Sequence, residues 1–381
     1  MRPVVHWSSS NVGGAGSAAR QLHLMLATKG LSSSFNFISG SIQSLSTSEN
    51  RLQVSLTTKS VNKLITFTNL RINDDPFFSL LSASPALEAI VEDGKNSILH
   101  LHNFYNLVSS SSLNTIFSDS KWVVITAHDQ RLMTGGCHYS MDCVKFQTGC
   151  KDCPLVSRFH SRQVEENFNA VRGPRLKPVH VITPSYWMFK LMKDSLPSPG
   201  FQIHHIENVL DYRDTQLRTT LFDQERIRLG FAAAQFRSQV KGSDFITSLQ
   251  SFIGTHKLAI DLYTPKDFHF DMDLFWHSID VLLVPSRIDN HPNVVTEAHL
   301  RGIPVMSSGA GGIHEQLYEG IDEVFDPRVL THNKFTLVLN RMRSAYSASM
   351  STFLRDSVVR RIDYGLNKHI ELYEYLSSQD A

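Results

Sequence analysis

The chain has 381 residues, of which 41% are apolar and 19% are charged. This length leaves room for two domains of ordinary size, and this composition excludes an intrinsically disordered protein. The formal net charge is only +1, which excludes a general basic field for binding a polyanion, so we expect no nucleic acid partner.

The first predicted element is a short strand at residues 4–7, followed by a glycine-rich turn and a helix that ends at Gly30. The turn contains Gly13, Gly14, Ala15 and Gly16. These glycines match the dinucleotide-binding pattern. NAD is nevertheless disfavoured, because its site needs an acid about 20 residues later and the first acidic residue of the chain is Glu49. We expect the amides of the turn to approach a phosphate or a sugar, and the alternative is a tight turn alone.

More buried strands are predicted in the first half of the chain, at Ile98–Leu101, Trp122–Thr126 and Val179–Thr183. Strands that alternate with helices form a parallel sheet, and ligands bind at the carboxyl ends of its strands. His128 follows the second of these strands, which makes it a candidate ligand contact. His102 and Asn103 occupy a similar place after the first. An isolated histidine is usually structural, so only this position favours a role.

All the cysteines of the chain lie within 17 residues, at Cys137, Cys143, Cys150 and Cys153. The last two have the spacing of a thiolate chelating turn, so a tetrahedral structural zinc site is the leading hypothesis. Two disulfides or free thiols are the alternatives. With four protein ligands no position stays open for water, so such a zinc would brace a loop rather than catalyse. A nucleic-acid module is disfavoured, because the nearby cations are only Arg131, Lys145 and Lys151.

The second half of the chain repeats the strand and helix pattern, beginning with a predicted strand at residues 203–206. A loop-like stretch precedes it, so we predict a first domain at residues 1–200 and a second domain at residues 201–355. A final helix at residues 356–381 has an apolar stripe that we expect to pack back on the first domain. Serine-rich stretches at residues 8–10, 32–34 and 109–112 are interpreted as loops. No long apolar span or signal peptide is recognisable, so a cytoplasmic location is expected, with peripheral membrane contact left open.

The most informative segment follows the predicted strand Val281–Val284. Asn293 can cap a helix in which Val294, Val295 and Ala298 share a face, so Asp289 falls in the loop and Glu297 in an early turn. A helix N-terminus carries about +0.5 charge and unpaired amides, which suit a pyrophosphate. Carboxylates can only accept hydrogen bonds, so their partners beside a phosphate would be hydroxyls of a ribose and a sugar. The alternative is a capping acid with a solvated surface acid.

Four motifs resemble those of the retaining glycosyltransferase family 4, and the resemblance covers nearly the whole chain. They are the acids Asp289 and Glu297 with seven residues between them, residues 240–242, residues 311–315 and the glycine turn at residues 13–16. The resemblance implies an α/β protein with the GT-B fold, in which two Rossmann-like domains face each other across a cleft. Residues 126–139, with the later cysteines, resemble members that build colanic-acid-like and other bacterial surface polysaccharides.

The resemblance also implies a reaction: transfer of a sugar from a UDP- or GDP-sugar to a glycan or lipid-linked glycan, with no catalytic metal. The implied catalytic residues are His128 and Asp289 at the sugar, Lys241 at the pyrophosphate and Glu297 at the ribose. Further implied substrate contacts are the turn at residues 13–16, Arg237, Asn290, Pro292, Asn293 and Val294. Two arginines that many members carry are replaced by Gln235 and Val240. These replacements support a second hypothesis, a non-catalytic GT-B protein that binds a nucleotide or glycan or partners an active transferase.

Overall fold

The computed structural model describes residues 1–43, 45–53, 60, 64, 78–80, 84–173, 175, 177–233, 238–327 and 331–379. The candidate residue Arg237 and the replaced position Gln235 lie outside the described residues. The chain divides into two compact units, Met1–Val209 with Gly365–Ala381, and Leu210–Tyr364. No helix among the described residues is both long enough and apolar enough to cross a membrane.

The first unit contains a parallel sheet with the strand order β3-β2-β1-β4-β5-β6-β7. The strands are β1 Val4–Ser10, β2 Ser33–Ser39, β3 Glu49–Arg51, β4 Ile98–Leu101, β5 Trp122–Thr126, β6 Val179–Thr183 and β7 Phe201–His205. The helices are α1 Gly13–Thr28, α2 Leu87–Gly94, α3 Ser110–Asp119, α4 Arg158–Ala170 and α5 Tyr186–Ser195. Strands β4, β5 and β6 are buried along their whole length, as expected for the centre of a sheet covered on both faces.

The second unit contains a smaller parallel sheet with the order β12-β11-β10-β8-β9. Its strands are β8 Ile227–Gly230, β9 Ile260–Tyr263, β10 Val281–Val284, β11 Val305–Ser307 and β12 Glu323–Val324. Its helices are α6 Ser243–His256, α7 Met272–His277, α8 Asn293–Leu300 and α9 His332–Ala345. The helix α10, Ala348–Ser378, contributes residues to both units. Each unit therefore has an α/β fold with a sheet of parallel strands, as the alternation of apolar strands and helices predicts.

The domain limits need correction. The strand predicted at residues 203–206 belongs to the first sheet, because β7 pairs along its length with β6, from Val179 opposite Phe201 to Thr183 opposite His205. The units divide after Val209 instead of after residue 200, and the final helix begins at Ala348 instead of residue 356. From Gly365 onward this helix belongs to the first unit, where the Tyr373 hydroxyl lies 2.7 Å from Nδ1 of His100.

The serine-rich stretches are not loops, because each one lies at the boundary of a regular element. Residues 8–10 end β1, residues 33 and 34 begin β2, and residues 110–112 form the first turn of α3. The Ser109 hydroxyl caps α3 by accepting a hydrogen bond from the Ser112 amide at 3.1 Å. Short hydroxyl side chains are favoured at such N-terminal positions because they satisfy amides that have no partner within the helix.

Candidate active site

In the second unit, the turn that carries Lys241 packs against the carboxyl end of β10. Gly242 has φ +79°, and a Cβ built at this glycine would lie 2.4 Å from the carbonyl oxygen of Pro285. The Arg287 amide donates to the Val240 carbonyl at 2.8 Å, which joins the turn to the loop after β10. Only glycine allows both the left-handed conformation and this close approach, so Gly242 determines the backbone position of the neighbouring Lys241.

Lys241 and Asp289 are 48 residues apart in sequence and form an ion pair, with Nζ 2.6 Å from Oδ2. The Asp289 side chain is nearly buried and its other oxygen accepts from the Asn290 amide at 3.0 Å. The Lys241 side chain is 20% exposed. A charge-assisted pair that is this well shielded is stronger than a surface pair, because water screens it less. The two predicted ligand-binding groups are thus brought together, in contact with each other.

The Gly311 and Gly312 pair holds the backbone of Asp289. Gly311 forms a parallel bridge with Asp289, and a Cβ at Gly311 would lie 2.2 Å from the Asp289 carbonyl oxygen. The Gly312 amide donates to that same oxygen at 2.9 Å. The sequence predicts these glycines as part of a motif, and the structure gives the reason for Gly311: a larger residue there would push the aspartate loop away.

Helix α8 begins one residue differently from the prediction. Its N-cap is Pro292, and Asn293 is the first helical residue. The prediction that Asn293 caps the helix is therefore wrong, because Pro292 has the extended conformation of the cap. Val295 and Ala298 are fully buried, while Val294 is only half-buried. The loop that carries Asp289 and Asn290 thus leads directly into a helix N-terminus, as predicted.

Glu297 is the fifth residue of α8 and is half-buried. Burial raises the pKa of its carboxyl group above the ordinary value, and the positive charge of Arg301 partly opposes this increase. Its side chain accepts no hydrogen bond from another described residue. A half-buried carboxyl group that accepts no hydrogen bond within the described part of the chain can accept one from a hydroxyl, which fits the predicted ribose contact.

In the first unit, the glycine-rich segment is helical rather than a loop. Helix α1 starts at Gly13, which has φ +76°, so Gly14, Ala15 and Gly16 form its first turn. A Cβ at Gly16 would lie 2.3 Å from the carbonyl oxygen of Ser10, so this glycine lets the helix pack closely against the end of β1. Gly13 and Gly14 are exposed. The predicted glycine-rich turn is thus corrected to an exposed helix N-terminus, which still suits an anion.

His128 lies two residues after β5 and is half-buried. Its Nε2 atom is 3.3 Å from Nδ1 of His102, the residue that directly follows β4. The next residue, Asp129, accepts from the Arg131 amide at 2.8 Å and pairs with Nδ1 of His138 at 2.7 Å. Burial would raise the pKa of Asp129, but the charge and hydrogen bond of His138, together with the amide and charge of Arg131, outweigh this and lower it. These contacts tie the turn of His128 to the segment that carries the cysteines.

The four cysteines line one cavity, together with Thr134, Phe146 and Val164 among others. None of the four forms a disulfide, so the alternative of two disulfides is not found. Cys137 and Cys150 are buried, whereas Cys143 and Cys153 are partly exposed. Burial raises the pKa of the Cys150 and Cys153 thiols. A cation would favour their thiolate form, which suits a soft divalent metal such as zinc, but among the described residues no three of these sulfur atoms lie within 4.8 Å of one another.

The comparisons with known proteins agree with this architecture. No protein-family model matches the chain. A relative from Escherichia coli (strain K12), named "Putative colanic acid biosynthesis glycosyl transferase WcaC", is 23% identical over 341 residues, which are 80% of this chain and 82% of the relative. Among solved structures, sucrose-phosphate synthase from Thermosynechococcus elongatus covers 99% of this chain with a TM-score of 0.63 and 13% identity. Anabaena HepE in complex with UDP-glucose covers 99% with a TM-score of 0.60 and 11% identity.

The chain has the GT-B fold of glycosyltransferases. A third similar structure is WaaG, described as a glycosyltransferase involved in lipopolysaccharide biosynthesis, which covers 98% of this chain with a TM-score of 0.56 and 13% identity. The predicted GT-B architecture and the predicted resemblance to colanic-acid-type glycosyltransferases are both confirmed. The roles assigned to single residues of this GT-B protein remain predictions.

Proposed function

We propose that this protein is a retaining glycosyltransferase that transfers a sugar from a nucleoside diphosphate sugar to a glycan or lipid-linked glycan in polysaccharide biosynthesis. The observation that carries the proposal is the meeting of Lys241 and Asp289 at the carboxyl end of β10, next to the N-terminus of α8. A cation, a helix N-terminus and an acid at one sheet end suit a diphosphate that bears a sugar. The relative named for colanic acid synthesis and the similar structure with UDP-glucose support this direction.

The ion pair itself suggests how a donor would bind. A diphosphate would compete with the Asp289 carboxylate for Lys241, because both offer anionic oxygens to the same ammonium group. When the ammonium turns to the phosphate, the Asp289 carboxylate becomes available to accept a hydrogen bond from a sugar hydroxyl. Glu297 would accept from the ribose, and the amides at Asn293 and Val294 would face the phosphate. Asn290 and Pro292 would shape the sugar pocket.

In the first unit, the proposed substrate contacts are His128 and the first turn of α1, with Gly13, Gly14, Ala15 and Gly16. In the reaction, the bond between the anomeric carbon and the donor phosphate breaks as the acceptor oxygen bonds to the same carbon from the same face. The acceptor hydroxyl gives its proton to the leaving phosphate oxygen. The protein therefore needs no nucleophile of its own, and its part is to bind the diphosphate charge and orient the sugar.

We also propose that Cys137, Cys143, Cys150 and Cys153 hold one structural zinc ion. Their position around one cavity supports this assignment, which requires the four sulfur atoms to come closer together than they lie here. The zinc would fix the cysteine-containing loop, which the contact between Asp129 and His138 joins to the turn of His128. With four cysteine ligands, the zinc would have no open coordination position for a substrate. It would contribute stability and no chemical step.

The proposed function is tested by binding and turnover with the same ligands. UDP, GDP and their sugars are screened by thermal shift, and the best donor is then titrated calorimetrically and offered with varied acceptors and with water alone. Selective stabilisation by one nucleotide sugar, followed by release of the nucleoside diphosphate, is the expected result. Tight binding without turnover under any acceptor would favour a non-catalytic binding protein. Absence of binding to every nucleotide and nucleotide sugar would reject both.

A further inference from the structure

Three histidines form a hydrogen-bonded chain through the first unit to the carboxyl end of its sheet. Nδ1 of His6 lies 3.0 Å from Nε2 of His102, and Nδ1 of His102 lies 3.3 Å from Nε2 of His128. His6 is on β1, His102 follows β4 and His128 follows β5, which are neighbouring strands. His6 and His102 are buried, whereas His128 is half-buried. The chain therefore leads from the core of the unit to the edge where ligands of parallel sheets bind.

The two inner imidazoles are neutral at physiological pH. Burial lowers the pKa of His6 and of His102 well below the ordinary value, and neighbouring histidines lower it further. A neutral imidazole carries one N–H donor and one acceptor nitrogen. Each link of the chain therefore contains a single proton, and the protons of both links must point in the same direction along the chain.

The buried end of the hydrogen-bonded row, at His6, determines in which direction the imidazoles donate. Nε2 of His6 is buried and has no hydrogen-bond partner among the described residues. If the chain donates inward from His128, Nε2 of His6 carries a proton, and an N–H donor is left unsatisfied in the core. If the chain donates outward from His6, only a lone pair is left unsatisfied. A buried donor without a partner is the rarer defect, so the outward direction is favoured.

A metal ion is the competing explanation, because one nitrogen from each of His6, His100 and His102 lies within 4.8 Å of the others. The ring orientations argue against it. The rings of His100 and His102 have centroids 4.0 Å apart and planes only 30° apart, so lone pairs that lie in these planes do not converge on one point. Both nitrogens of His100 already have partners, the Tyr373 hydroxyl at 2.7 Å and the Thr126 hydroxyl at 2.8 Å.

We propose that His102 is a positioning residue that donates from Nδ1 to Nε2 of His128 and thereby holds His128 in the tautomer protonated at Nδ1. His128 then offers an N–H donor at Nδ1, which suits an oxygen of a sugar hydroxyl or a phosphate. The consequence for activity rests on the proposed glycosyltransferase function. The assignment of the tautomer does not.

The first experiment measures the tautomer directly in the unmodified protein. Nitrogen NMR of protein labelled with ¹⁵N in its histidine side chains distinguishes a protonated Nδ1 from a protonated Nε2. The His128 signals are assigned by their loss in His128→Gln. We expect His128 to be protonated at Nδ1 and not at Nε2. A proton on Nε2 of His128 would overturn the proposal, whether or not the protein transfers sugar.

The second experiment uses a pair of variants that a purely structural role would not separate. The amide of asparagine approximates the position of imidazole Nδ1, and that of glutamine approximates Nε2. His102→Asn therefore keeps a donor toward His128, while His102→Gln keeps a partner only for His6. We expect His102→Gln to shift the His128 tautomer and to lower kcat/KM about tenfold, the effect of one lost hydrogen bond, with His102→Asn within about threefold of the parent.

His180→Asn is the matched control, because His180 is also a buried strand histidine that pairs with another histidine, Nε2 of His204 at 3.0 Å. It should leave the His128 signals and kcat/KM unchanged. Equal losses in His102→Asn and His102→Gln would refute a positioning role. A tautomer shift in His102→Gln without any change in kcat/KM would refute the effect on activity but leave the glycosyltransferase proposal intact. Absence of activity in the unmodified protein would instead count against that proposal alone.

Discussion

The carboxyl ends of the two sheets differ in chemistry although they occupy the same position in the fold. In the second unit, β10 ends beside the ion pair of Lys241 and Asp289, followed by the N-terminus of α8. In the first unit, β4 and β5 end beside the neutral imidazole of His102 and the half-buried His128. A cation suits a diphosphate, whereas sugar hydroxyls form hydrogen bonds with both carboxylates and neutral imidazoles. The two sheet ends therefore offer a ligand different partners: the ion pair of Lys241 and Asp289 in the second unit, and imidazoles beside the Asp129 carboxylate in the first.

This contrast should appear most strongly in the response to acid. Burial lowers the pKa of His369 to about 4, partly opposed by its hydrogen bond to Gly365, while an unfolded histidine titrates near 6.5. Between pH 6.5 and 4 the unfolded chain therefore binds more protons, so the free energy of unfolding falls as the pH falls through this window. At about 1.4 kcal/mol per pKa unit, this fully buried group alone accounts for a loss of about 3 kcal/mol. His6, His100 and His102 act in the same direction.

The measurement is hydrogen exchange at pH 7 and at pH 5, read separately on peptides from each unit. We expect the first unit to lose protection first. His369→Asn should flatten the pH dependence of that unit, whereas His277→Asn, which changes an exposed histidine of the second unit, should not. Identical pH slopes in both units would remove the basis for the contrast.

The second prediction tests whether backbone geometry holds the ion pair of Lys241 and Asp289 at the carboxyl end of β10. Gly242→Ala places a Cβ against the Pro285 carbonyl at a residue with φ +79°, so we expect a loss of about 3 kcal/mol of unfolding free energy in the second unit, together with weaker donor binding. Gly254→Ala is the control: apart from its chain neighbours and the backbone of its own helix, no described atom lies within 4 Å of its added Cβ, and alanine inside a helix should stabilise by about 0.5 to 1 kcal/mol. Urea unfolding of both variants gives the comparison. A Gly242→Ala protein as stable as its parent would contradict the geometric argument.

Particular residues show how far the sequence alone could lead. The four apolar residues of β10 and the periodic apolar positions of α10 predict their elements directly, because burial on a sheet or a helix face leaves a pattern in the chain. Strand β2 was missed because its first residues are serines, although its buried Phe35 and Phe37 alternate as strand residues do. The assignment of residues 203–206 to the second domain was wrong because strand pairing depends on tertiary neighbours, which no local pattern records.

The candidate site divides in the same way. Lys241, Asp289 and Gly311 could be found from motifs, since each has a local chemical or conformational reason. The contact between Lys241 and Asp289 could not, because it joins positions 48 residues apart. The link from His6 through His102 to His128 depends on the order of β1, β4 and β5 in the sheet. A sequence signal existed for part of it, since His100 and His102 alternate at the end of a strand and therefore face the same side.

The third prediction tests whether the positive charge of Lys241 contributes to donor binding. Lys241→Ala should weaken binding of the preferred nucleotide sugar by about 1.5 to 3 kcal/mol, the range for a hydrogen bond to a charged group. Lys334→Ala removes an exposed lysine of α9 and should leave affinity unchanged. Lys241→Arg keeps the charge and should retain part of the affinity. Calorimetric titration checks all three, and donor affinity that survives Lys241→Ala would exclude this lysine from the proposed diphosphate contact.

The smallest expected effect concerns the loop with the four cysteines, which lies in the first unit but does not include its buried histidines. Purified protein should contain about one equivalent of zinc, and less than about half an equivalent of zinc or iron would end the proposal. Removal of the metal should cost the first unit about 2 kcal/mol, or roughly 4 to 8 °C in Tm, because the metal braces a loop and not the sheet. Cys143→Ser and Cys153→Ser should reproduce that loss. The affinity of the second unit for a nucleoside diphosphate should not change, since the Lys241 and Asp289 pair lies in another unit. A parallel loss of diphosphate affinity would mean that the two sheet ends are energetically coupled.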